Sequence, residues 1–343
     1  MAAGKPDFEK RPSNRVLQIC LMALALAMLG AGSARAYDVS VSAAASTNGS
    51  FVGGVWTPTA NSNLSYADLN TQLAAGNAGV TTNGAGTLTI QPAFVYTSAS
   101  DRHLTLTAAG DASIGGIGAG AGKLSVTVNS TGTVTVTAAG VTTGGGSFTS
   151  SGTGFTLMVG GVHTSAASGV GGAVALNHTG AVVIQDGGVT TGGGSFTSHG
   201  TTCAINTAGV NTTGGSGGDI TLNHVGDVTI TQGGLATGGG KITIDSGHAV
   251  DVAASTNFQS GGGNIYVQAA TAITVNAAVV SQPGTGGVLT VIGPVTLNVP
   301  PVLGAGNITF IIGGTEVPAL ATWGLLVLAT LIGLAAAWRL RAV

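Results

Sequence analysis

Few residues in this 343-residue chain are of types that hold metals or move protons, so their spacing carries weight. His178, His199 and His224 follow glycine clusters by six, five and six residues. If those clusters mark equivalent corners of a repeat, the three imidazoles stack about 4.8 Å apart and adjacent pairs are candidate metal ligands. His178 and His224 alone, two layers apart at about 9.6 Å, would be too distant to share an ion. The plainer expectation is a polar histidine ladder at a turn, with no metal or other cofactor.

Acid–base chemistry needs carboxylates held at defined separations. Asp219, Asp227, Asp245 and Asp251 are the densest set, yet they stand one, nine, five and eleven residues after their glycines. Between Tyr37 and Glu316 there is no other glutamate. No catalytic residue is assigned and the chain is not expected to be an enzyme; a carbohydrate-active lyase or hydrolase would need an acidic cluster on one face. The segment GGSGGDITL at 214–222 approaches a calcium-binding nonapeptide, GGxGxDxUx. Thr221 occupies its large apolar position and tandem copies are missing, so a glycine corner is expected there.

The elements that would position these residues are repeats. VTTGGGSFTS begins at Val141 and again at Val189, and LNH at Leu176 and again at Leu222. The last glycines of successive clusters, Gly122, Gly146, Gly172, Gly194, Gly218, Gly240, Gly263 and Gly287, recur about every 24 residues. Two and four residues after each stands an alternating pair such as Leu124/Val126, Phe148/Ser150, Val174/Leu176 or Ile220/Leu222. A second pair follows, as Val134/Val136, Phe155/Leu157, Val182/Ile184 and Cys203/Ile205, and a third apolar point recurs at Val141, Val189 and Leu235. Period-two alternation reads as strands with one face inward. Three strands per period predict an all-β chain: a right-handed parallel β-helix, a three-faced solenoid with about 24 residues per coil. Glycines mark corners that need positive φ or close backbone approach. Cys203 takes an inward position and is expected to be a buried, inert thiol.

The first part breaks this period. Leu69 and Leu73 stand at i, i+4 with Ser65 as a candidate cap, which predicts a helical turn inside an N-terminal cap over 37–85. An uncovered edge would template aggregation, so a cap is expected. Repeats then cover 86–304, and the prolines of PVTLNVPP at 294–301 are expected to stop further pairing.

Both termini read as export signals. Lys5, Lys10, Arg11 and Arg15 precede an apolar run from Val16 to Leu29 and a small-residue site at Ala34 and Ala36, which predicts a signal peptide over 1–36. Residues 305–316 read as a linker and 317–343 as a tail. Within it, 318–338 carry no charge and reach about 31 Å as a helix, enough to span a bilayer. Between Tyr37 and Glu316 ten acids face only Arg102, Lys123 and Lys241, a net charge of about −7 that disfavours nucleic acid as a partner.

Two resemblances follow. SYADLNTQLAAGN at 65–77, GTLTI at 86–90, HLTLTAAG from His103 and GGDITLNHVGDVTI at 217–230 resemble the filamentous haemagglutinin group of surface exoproteins. That resemblance implies a long β-helical adhesin. In the tail, Val317, Pro318, Leu320, Trp323 and Gly324, followed by an apolar helix and Arg339 and Arg341, resemble the IPTL-CTERM sorting signal, a relative of PEP-CTERM. Val317 replaces its isoleucine and Ala319 its threonine. This implies a Gram-negative bacterium, an exosortase-like transpeptidase as partner, and transient anchoring in the inner membrane before transfer to the envelope surface. The expected function is therefore a cell-surface structural or adhesin-like protein, with host or biofilm ligands. Self-association as a matrix or surface-layer component is the alternative beside the enzymatic one.

Overall fold

The computed structural model describes residues 35–318 apart from 93, 138, 216, 277, 282–286, 299–301, 304–307 and 313–314. The chain winds as a parallel β-solenoid of about 11 turns with roughly 23 residues per coil. Each full coil contributes one strand to each of three faces, and between the two ends strands stack on the equivalent strands of neighbouring coils.

On face one the register aligns Leu104, Val126, Phe148, Val174, Phe196, Ile220, Ile242, Ile265 and Leu289 in one inward column. A second column, two residues on, holds Leu106, Val128, Ser150, Leu176, Ser198, Leu222, Ile244, Val267 and Val291. All of these side chains are buried. Face two supplies Val134/Val136, Phe155/Leu157, Val182/Ile184, Cys203/Ile205 and Val228/Ile230 in the same manner. Face three is shorter and contributes Val141, Val162, Val189, Val210, Leu235 and Phe258. Each buried aliphatic side chain contributes about 1.5–3 kcal/mol, so stability accumulates coil by coil.

One expected alignment is corrected. Val126, not Leu124, lies opposite Phe148, so the register partner of Gly146 is Leu124 rather than Gly122. Gly122 belongs to a differently shaped corner, and counting from it shifts that coil by two residues.

The recurrent glycines act through close approach. A Cβ on Gly172, Gly194, Gly218, Gly240 or Gly263 would lie 2.0–2.4 Å from the carbonyl oxygen of the equivalent glycine in the coil before it. The two residues before Gly146 and Gly194 supply the turn itself, with φ of +63° and +103° at Gly144 and Gly145 and +63° and +102° at Gly192 and Gly193. A buried threonine completes the corners up to Gly240, whereas Ser260 takes its place before Gly263. The hydroxyls of Thr143, Thr164, Thr191, Thr212 and Thr237 donate to the carbonyls of Gly146, Gly172, Gly194, Gly218 and Gly240.

The N-terminal cap is built from β1 (Val39–Ser42), the antiparallel hairpin β2 (Thr47–Val52) and β3 (Val55–Ser65), and α1 (Tyr66–Ala75), before β4 (Ala78–Thr81) opens face one. The predicted helix forms. The Ser65 side chain accepts from the Asp68 amide at 3.0 Å, and Leu69 and Leu73 are fully buried. Arg102 reaches back to the other end, donating Nε to the Leu73 carbonyl at 2.8 Å and Nη2 to Ala74 at 3.1 Å.

Pairing continues past the prolines at the other end. Val295–Leu297 and Val302–Leu303 extend faces two and three, and Ile308–Ile312 extends face one. Pro294 needs only its carbonyl, which accepts from the Ile273 amide at 2.7 Å, so its missing N–H costs nothing. Thr315–Pro318 then folds back antiparallel on Ile308–Ile312, pairing Phe310 with Val317 and Thr309 with Pro318.

Candidate functional site

The three histidines do not stack. Gly152 lies opposite His178, and Gly200 opposite His224, whereas His199 lies opposite Asn177 and Asn223. Strand side chains alternate in direction, so this one-residue difference puts His199 in an outward column and the other two inside the rod. His178 and His224 retain only 5% and 2% of their surface. The proposed metal pair therefore fails on geometry, and among the described residues no group of three or more His, Cys, Asp or Glu is placed to hold a metal ion.

The buried imidazoles are accommodated by a two-coil packing alternation. One coil carries Phe148, Ser150 and Gly152 on face one, and the next carries Val174, Leu176 and His178. Phe196, Ser198 and Gly200 then precede Ile220, Leu222 and His224. A side chain at Gly152 or Gly200 would meet the imidazole of the following coil, with Cβ to Nδ1 distances of 3.4 and 3.3 Å. The Phe155 ring lies 5.4 Å from that of His178. The repeat spacings of 48 and 46 residues thus reflect interlocking pairs of coils. Burial pushes both imidazoles down to about 4, with His199 adding repulsion at His224. Ser198 Oγ lies 3.1 Å from His224 Nε2. Cys203 is buried at the inward position shared with Phe155, Val182 and Val228, and burial pushes its thiol up to about 12.

The aspartates serve as clamps between coils. Asp111 accepts from the Thr133 amide at 2.7 Å, Asp219 from Lys241 at 2.7 Å, and Asp101 from Lys123 at 3.1 Å. Asp227 accepts from Ala249 at 3.1 Å and from His248 Nδ1 at 2.5 Å, and these hydrogen bonds hold its carboxyl below the usual range. Each clamp occupies the residue before a strand, one coil below the amide it caps. Asp245 and Asp251 instead sit in outward columns opposite Asn223 and Thr229. Ser246 is near His248 in sequence, but its buried hydroxyl donates to the Gly226 and Ala249 carbonyls at 2.7 and 3.0 Å. In the 214–222 segment Asp219 is committed to its clamp and Thr221 points outward.

What remains on the surface of face one is regular. Thr105, Thr127, Thr149, Thr197, Thr221, Thr243 and Thr290 form one outward column, interrupted by Ala175 and Tyr266. Beside it run Thr107, Asn129, Ser151, Asn177, His199, Asn223, Asp245 and Gln268. A cleft of about 310 Å³, lined by Gly54, Val55, Asn77, Gly79, Thr105 and Thr107, lies where the cap meets the start of these columns. The arrangement offers hydroxyls, amides and carbonyls at the coil spacing over a flat face.

Sequence reasoning did not identify the buried threonines or the aspartate clamps. A signal for the threonines exists: each stands two residues after the third apolar point of its coil, as in Val141/Thr143, Val189/Thr191 and Leu235/Thr237.

Of the expected signal residues, Ala36, Val317 and Pro318 lie among the described residues, while Ala34, Leu320, Trp323, Gly324, Arg339 and Arg341 lie outside them. Among the described residues no helix is long and apolar enough to cross a membrane. Fold and surface together define a parallel β-solenoid with polar outward columns. Comparison of the chain with protein-family models, curated proteins and solved structures finds no match.

Proposed function

We propose that this chain is an exported structural or adhesin-like rod displayed at the envelope surface of a Gram-negative cell, not an enzyme. The observation that carries the reading is the pair of outward Thr and Asn/Ser columns on face one, repeated at coil spacing beside aspartates spent on backbone clamps. A flat, weakly charged lattice of this kind suits many shallow contacts with a polar partner, such as a host or biofilm surface. The winding is right-handed, as parallel strand crossovers generally are. Residues 1–36 direct secretion, and the 317–343 segment anchors the chain in the inner membrane until an exosortase-like transpeptidase cuts near Val317.

The test is display and attachment of the full chain in a host carrying such a sorting enzyme. Intact cells should expose the rod to added protease, and Thr149→Lys with Thr197→Lys and Thr243→Lys should lower attachment to abiotic or cell surfaces while leaving the circular dichroism spectrum unchanged. Protection of the chain in intact cells, or attachment indifferent to all three substitutions, would contradict the reading.

A further inference from the structure

The histidines and the cysteine sealed inside the rod lie in one stretch of it. His178 and His224 are buried, and neither ring nitrogen of His178 nor Nδ1 of His224 makes a hydrogen bond of good geometry; the backbone of Gly152 and of Gly200 beside them opposes only part of the effect of burial. Around His178 stand Gly152 and the unpaired Ser150 hydroxyl from the preceding coil and the Phe155 ring from face two. Around His224 stand Ser198 and Gly200 before it and Ser246 after it. The titratable neighbours are Cys203, linked through Ser198 and held as the neutral thiol, and the outward His199 and Asp245, which flank Asn223 on the opposite side of the strand. No carboxylate among the described residues faces either imidazole from within. An imidazolium here would carry two donors into an apolar core that offers no charged acceptor.

In a solenoid each coil contacts only its neighbours, so a local cost opens a local segment. We infer that His178 and His224 make the middle of the rod, residues 146–226, an acid-triggered weak point that opens and recloses while the coils on either side hold. Burial keeps both rings neutral down to about pH 4, whereas in an opened segment they take up protons near pH 6.5. The opening equilibrium should therefore rise on the order of a hundredfold per imidazole by about pH 4.5.

Hydrogen exchange of the full chain at about pH 7 and about pH 4.5, corrected for intrinsic rates, tests this. Protection should fall between 146 and 226, remain in the flanking coils, and return on neutralisation. The double variant His178→Ala with His224→Ala, whose small side chains this column already holds at Ala108 and Ala269, should show protection there that no longer depends on pH. Protection unchanged by acid, loss spread evenly along the rod, or the same pH dependence in the double variant would each overturn the inference. Should the double variant not fold, the position of the acid-labile segment in the native chain decides alone.

Discussion

Gly152 and His178 are register partners on neighbouring coils, and a Cβ on the glycine would stand 3.4 Å from the imidazole Nδ1 and 2.5 Å from the Gly132 carbonyl oxygen. The second distance is too short to accept without backbone movement. Gly152→Ala should therefore lower stability by about 1–3 kcal/mol, the usual cost of overpacking. Adding His178→Ala should recover only part of this, because the Gly132 clash remains. Urea unfolding of the two variants measures both effects, and full recovery would assign the whole cost to the imidazole.

Thr237 is a corner threonine with two close carbonyl acceptors, Gly240 at 2.7 Å and Ser260 at 2.8 Å. Thr237→Val keeps the shape and removes the donor, leaving buried carbonyls without it. A loss of about 1–3 kcal/mol is expected, with Thr237→Ser retaining most of the stability. Equal unfolding midpoints for the valine variant and the wild type would show that the corner is held by the glycine stacking alone.

Cys203 reports on the register of face two. Its inward position and raised thiol predict no modification by a disulfide reagent in the native state and full modification in denaturant. Rapid native labelling would mean that this strand presents its other face.

Acid should act in two separate windows. For His178 and His224 the folded pKa lies below the unfolded one, so the unfolded chain binds protons first and stability falls from pH 6.5 to about 4. Asp68, hydrogen-bonded by Ser46 and Ser65, and Asp227, hydrogen-bonded by His248, also have lowered values, and their contribution is present above pH 3.8 and lost below it. Thermal midpoints across pH should show Asp227→Asn flattening only the lower window. Flattening of the upper window by that substitution would place the acid sensitivity outside the core histidines.

The coil architecture was legible because core residues recur with both the strand period and the coil period. Phe148, Val174, Phe196 and Ile220 follow their glycines by the same two residues and share one column. Leu124 was misaligned because Gly122 is a corner glycine without the same register partner. For the histidines the deciding signal was the difference between six and five residues. In a helix such a shift would leave a side chain nearby, but in a strand it reverses the face. The aspartate clamps were not legible, since each depends on which amide lies one coil above. Counting along the chain locates that amide only once register is known.

On the function proposed above, the rod is an exported surface component whose two ends are removed during delivery. Intact-mass and terminal-peptide mass spectrometry of the chain recovered from its host tests it most directly. Export and sorting should yield surface-exposed protein that begins at Tyr37 and ends near Val317. A chain recovered from the cytosol that still begins at Met1 and still carries Arg341 would contradict it.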